Sequence, residues 1–246
     1  MAKFLKRYNT QEEYNQDLPN LNKEWMIGYV KEGKKVNYLN NPYYKAVVLK
    51  YRFTEEFTDG NAFFNLIPEI ESVLINGISY DPSEINSRSW SAGEYEVKFY
   101  PKSDSETINY LNCDGNERLV EAYIDDNCGI TGVQDNAFRS CNRLEKVHLS
   151  NKITEIGYSA FEYCTSLIKV VIPDSVTSIG EYAFRKCTSL TSITCFAINS
   201  PTIESTSFQG VAENGILKYP QGSDYSSWMK TTSYYLGYYN WTSQEV

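Results

Sequence analysis

The feature that most constrains this chain is a 23-residue repeat in its second half. Ile130, Val133, Ala137, Phe138, Cys141, Leu144, Val147 and Leu149 have counterparts at Ile153, Ile156, Ala160, Phe161, Cys164, Leu167, Val170 and Ile172. The same positions recur at Val176, Ile179, Ala183, Phe184, Cys187, Leu190, Ile193 and Cys195, again offset by 23. A unit this short cannot bury its own apolar edge, so the units must stack as coils around a shared core. Leu144, Val147 and Leu149 then point inward from a short strand, and Phe138, Phe161 and Phe184 form an aromatic column inside the turn. A worn unit precedes them, with Leu119, Ala122 and Ile124 in the strand positions, and a partial one follows around Ile203 and Phe208. Irregular terminal coils are expected, because they close the open ends of the core.

A period of 23 lies in the range of leucine-rich repeats. Between the inward residues of each strand stand outward ones, and these form the candidate ligand face. They are Glu121 and Tyr123, Lys146 and His148, Lys169 and Val171, then Ser192 and Thr194. His148, the one histidine of the chain, is on this reading either a contact residue or a solvated side chain. Thr131, Thr154 and Thr177 make a second ladder, read as a strand-fitting surface and not as a site. Cys141, Cys164 and Cys187 stack as small buried thiols; a disulfide between successive coils is the alternative, but three equivalent cysteines cannot all pair.

The runs ITEIGYSAFEYCTSLIKVVIPDSVTSIGEYAFRKCTSLTSI and GILKYPQGSDYSSW resemble the BspA-like class of leucine-rich repeats, including its C-terminal closing segment. The signature I-G-x-x-A-F-x-x-C-x-S-L stands at Ile156–Leu167 and again at Ile179–Leu190. The first full repeat departs from it, with Gln134 in place of the glycine and Asn142-Arg143 in place of Thr-Ser. The resemblance covers roughly residues 110–246. It implies a surface-exposed binding protein, often an adhesin, without catalysis. The tail Tyr234–Trp241 carries five aromatic rings in eight residues, and reads as a cap over the last coil or as a patch for a glycan or partner.

Residues 1–110 do not repeat. Thr10 and Glu13 form a capping box that predicts a short helix near 10–18, stopped by Pro19. Glu24–Val30 and Lys35–Leu39 read as a hairpin, and residues 1–40 together as an arm too small for its own core. Strands are predicted at Tyr44–Phe53, Ile70–Ile75 and Gly93–Tyr100, the last with Tyr95, Val97 and Phe99 on one face. Turn signals at Asp59-Gly60 and Asn76-Gly77 separate them. The expectation is mainly β: the arm, an immunoglobulin-like β-sandwich over 41–110, and a leucine-rich-repeat solenoid with its cap over 111–246.

A net charge of −8 argues against a nucleic-acid or anionic-membrane partner, both of which require a basic face. The six cysteines form no C-x-x-C pair and there is one histidine, so no metal site is expected. Phosphate-binding loops of the G-x-x-x-x-G-K-[ST] and G-x-G-x-x-G types are absent, and no cofactor is expected. Nor is there an apolar run long enough to span a bilayer, or a secretory core behind the basic start. The opening RYNTQEEYNQDLPNLNKEWMIGYVKEGKKVNYL also resembles openings found in phages of gut bacteria. The expected role is therefore a non-enzymatic virion component (fibre, head decoration or tail-associated), assembled in the host cytoplasm, self-associating, and contacting other virion proteins or a host-surface glycan or protein. The alternative is a secreted bacterial surface adhesin or carbohydrate-binding leucine-rich-repeat protein.

Overall fold

The computed structural model describes residues 6–8, 28–32, 35–38, 47–56, 70–81, 85, 89–101, 111–126 and 128–246. The helix expected near 10–18 and the turn at Asp59-Gly60 lie outside them. Strand β1 spans Lys6–Tyr8, and β2 (Gly28–Glu32) pairs with β3 (Lys35–Tyr38) as the expected antiparallel hairpin. Strands β4 (Val47–Phe53), β5 (Ile70–Ile75), β6 (Ile78–Tyr80) and β7 (Gly93–Pro101) follow. Asn76 and Gly77 join β5 to β6 with φ of 49° and 78°, the left-handed pair that a tight hairpin turn requires.

The repeat region supplies β8 (Leu119–Ile124), β10 (Lys146–His148), β12 (Lys169–Ile172), β14 (Ser192–Cys195), β16 (Ile216–Tyr219) and β17 (Thr242–Glu245) along one side of the solenoid. Short strands β9 (Gly132–Val133), β11 (Glu155–Ile156), β13 (Ser178–Ile179) and β15 (Thr202–Ile203) line another side as a parallel sheet. Each of the coils that begin with β8, β10, β12 and β14 thus lays one strand on each side. Register follows the repeat: Lys169 pairs with Ser192 and Glu155 with Ser178, each one period apart. The worn first coil is in step too, with Glu121 opposite Lys146 and Ala122 opposite Val147.

The main departure from expectation lies at the junction of the two halves. One nine-stranded sheet runs in the order β1-β2-β3-β6-β5-β7-β4-β8-β10, so the N-terminal strands and the first two coils share a ladder. β4 pairs antiparallel with β7 on one side and with β8 on the other. The described strands of 41–110 lie in this one sheet; the second layer that an immunoglobulin-like sandwich needs is not among the described residues. Physically, β4 covers what would otherwise be the open edge of the first coil.

One core runs through both halves. Val47, Leu49, Tyr51 and Val97 belong to the same continuous buried cluster as the inward residues Leu119, Leu144, Leu167 and Leu190. Phe138, Phe161, Phe184 and Phe208 stack at centroid spacings of 5.2, 5.3 and 5.6 Å with planes within 8° of parallel, and Trp228 closes the column 5.4 Å beyond Phe208. Cys113 holds the equivalent place in the first coil: its N–H donates to Ala137 O at 2.7 Å as that of Phe138 donates to Ala160 O at 2.8 Å. The cysteine column is buried as unbridged thiols, with Sγ of Cys141, Cys164 and Cys187 donating to the carbonyls of Cys113, Phe138 and Phe161 at 3.0 to 3.1 Å. Burial raises all three, Cys141 to about 12.

The threonine ladder gains a fourth member in Thr202. Each hydroxyl from Thr154 onward donates to the threonine carbonyl one coil earlier, at 3.1 to 3.4 Å. Coils stack closely enough to dictate glycine at the signature position. A Cβ on Gly157 would lie 2.6 Å from Asp135 Oδ1, and one on Gly180 would lie 2.9 Å from Gly157 C. The aromatic tail is a cap: Leu236 and Trp241 are buried, Trp241 Nε1 donates to Ala212 O at 2.7 Å, and Tyr239 OH accepts from Gly210 N–H at 2.7 Å. Tyr234 and Tyr238 remain exposed at its edge.

Candidate functional site

Alternation along each strand decides what faces out. In β4, Val47, Leu49, Tyr51 and Phe53 are buried, which turns Val48, Lys50 and Arg52 to the opposite side. β12 reads exposed, buried, exposed, buried, so Val170 and Ile172 enter the core while Lys169 and Val171 face out. Because β7, β4, β8 and β10 share one ladder and β12 lies beside β10, these outward residues align across five strands. Two rows result. One runs Glu96, Lys50, Glu121, Lys146, Lys169; the other runs Lys98, Val48, Tyr123, His148, Val171.

The rows wall an open groove of about 480 Å³, whose floor adds Ala122 and Val147. Six of the eight expected face residues line it: Glu121, Tyr123, Lys146, His148, Lys169 and Val171. Ser192 and Thr194 sit one strand further on β14, opposite Lys169 and Val171 in register but outside the lining. The four contributions from the N-terminal sheet, Val48, Lys50, Glu96 and Lys98, were not foreseen. Their alternation was visible in the sequence, but the β4–β8 pairing that brings them to the solenoid was not.

Glu121 is the electrostatic hinge of the groove. Its carboxylate accepts from Lys146 Nζ at 2.6 Å and from Lys50 Nζ at 2.7 Å. These two hydrogen bonds, Lys146 first, hold its carboxyl below the usual carboxylate range, and the same contact raises Lys50. Tyr123 and His148 stack at 4.4 Å with their planes 8° apart. Partial burial, followed by the charges of Asp125 and Asp126, raises the Tyr123 phenol, which stays an O–H donor at neutral pH. Lys98 pairs with Glu96 at 3.0 Å. The groove therefore presents ammonium, phenol and imidazole groups with two carboxylates, over the strands β8 and β10 at Ala122 and Val147.

The coil geometry and buried columns define a leucine-rich-repeat solenoid. Residues 108–222 match the BspA type leucine rich repeat region family, in 6 copies, so the repeats are of BspA type. That span takes in the worn first coil and the one around Phe208. No curated protein matches the chain. No solved structure matches it either.

Proposed function

We propose that this chain is a non-catalytic recognition module whose ligand lies in the groove across β7, β4, β8, β10 and β12. BspA-type repeats suggest a protein-interaction or surface-binding role. The observation that carries the groove assignment is the convergence there of outward side chains from both halves, with Tyr123 stacked on His148. Val48, Val171 and the Tyr123–His148 pair give it apolar surface, and the lysines and glutamates give it polar groups, as in sites that hold a ligand by contact and orient it by a few hydrogen bonds.

For its carrier, the repeat type supports a bacterial surface adhesin, and the opening residues support a virion component through their resemblance to phage sequences. Light scattering separates the two: a defined oligomer that falls to monomer without residues 1–40 supports assembly into a particle, whereas a monomer in both forms supports a free-standing adhesin. The groove itself is tested by screening the full chain against arrayed glycans and peptides. A ligand lost on His148→Ala or Tyr123→Ala, with melting unchanged, supports the assignment. Ligands indifferent to both substitutions place the site elsewhere.

A further inference from the structure

We propose that the groove takes a carboxylated glycan, laid across the strands from β7 to β12. This rests on the groove being the binding face and assigns the class of its ligand. The chain as a whole carries −8, yet the groove gathers Lys50, Lys98, Lys146 and Lys169 against only Glu96 and Glu121. A basic strip on an acidic protein selects for anions and steers them to that place. Three of these lysines are engaged, two by Glu121 and one by Glu96. Among the described residues, Lys169 has no acidic partner within ion-pair distance and stands exposed at the end of the row.

The choice of carbohydrate over acidic peptide follows from where the groove lies. It sits on the face of a sheet, and β7, β4 and β8 are each paired on both sides, which commits their main-chain groups. An extended peptide takes its affinity from main-chain hydrogen bonds at a sheet edge, and where the sheet ends at β10 the next strand, β12, already lies alongside it. What the groove offers is side-chain tips: ammonium and phenol donors for a carboxylate, and the Glu96 and Glu121 oxygens as acceptors for hydroxyls. Val48, Val171 and the Tyr123–His148 pair supply apolar contact for the C–H faces of sugar rings. Five strands at about 4.8 Å spacing give the groove a length of about 19 Å, suited to an oligomer and not to one sugar.

The test is calorimetric titration of the full chain with tetragalacturonate, tetraglutamate and neutral maltotetraose, together with two exposed-site variants. Tetragalacturonate should bind in preference to the other two. Lys169→Gln should weaken it about ten-fold, the loss of one charge-assisted hydrogen bond. Glu121→Gln should strengthen it, because Lys50 and Lys146 are released to the ligand. Tetraglutamate binding more tightly, with the same response to both variants, would overturn the carbohydrate class and leave the groove standing. No binding of tetragalacturonate also overturns the class. Binding of any probe that ignores both substitutions overturns the class and the groove together.

Discussion

Tyr51 of β4 and Cys113 of the first coil meet inside the molecule, both almost fully buried, with the phenol beside the thiol. Every following coil up to Phe208 has phenylalanine where the first has cysteine. The smaller residue stands where β4 closes over the solenoid and brings its own aromatic side chain. The two halves are thereby one packing unit. Tyr51→Ala should cost about 3–5 kcal/mol, as truncations of large buried aromatics do. Denaturant unfolding followed at Trp90 in the N-terminal part and at Trp228 near the cap should give one coincident transition. A variant as stable as the parent would show that the junction is not packed this way.

Phe161 has a ring on each side, at 5.2 and 5.3 Å. Phe161→Ala should also cost about 3–5 kcal/mol. Phe161→Leu, which keeps most of the volume, should be markedly milder. Equal losses for the two would argue that the column is not a close-packed stack, and thermal melts decide this directly.

At Gly157 even one methyl group has no room, because Asp135 and Gln134 of the preceding coil lie within 2.9 Å of it. Gly157→Ala should destabilise by about 1–3 kcal/mol as neighbouring coils are forced apart. Gly222→Ala makes the comparison, since it has open space and only a positive φ to resist it. The Gly157 variant should be the less stable of the two by circular dichroism.

The core of the repeats was legible because its information is local. An apolar residue, a phenylalanine and a cysteine at fixed offsets announce their burial in any one coil, and the offset announces the stacking. The outward face was legible for the same reason, since alternation follows from the inward positions. The other wall of the groove was not. Lys50 and Glu121 stand 71 residues apart, and nothing in the alternation of β4 says which edge it will join. Many alternating strands would fit the same edge, so pairing at such separation is settled by the whole core. The sandwich expectation arose from that same gap: alternation shows that a strand has a buried face without naming what covers it.

The buried thiols make stability fall with alkali. Burial raises Cys141 to about 12 and Cys128 to about 11, whereas in the unfolded chain a thiol ionises near 8.5. The folded state therefore holds its protons more tightly. Their contribution is fully present below about pH 8.5 and is lost as pH rises toward the folded values. The melting temperature should decline steadily between about pH 8.5 and 10.5, and Cys141→Ala should shallow that slope. At pH 7.5 the native protein should react with a thiol reagent only as fast as it opens. Immediate modification of several cysteines would contradict the packed column.

The middle coils share one register while both ends are closed by structures of their own, β4 at the start and the aromatic cap at the finish. Length is thus the free variable of the design. Duplicating the 23 residues from Ile153 to Ser175 would insert one more rung without disturbing either closure. The strand face would lengthen by one inter-strand step of about 4.8 Å. A ligand in the proposed groove would be measured in rungs, and a chain built this way can change its reach by copying a unit instead of redesigning a site.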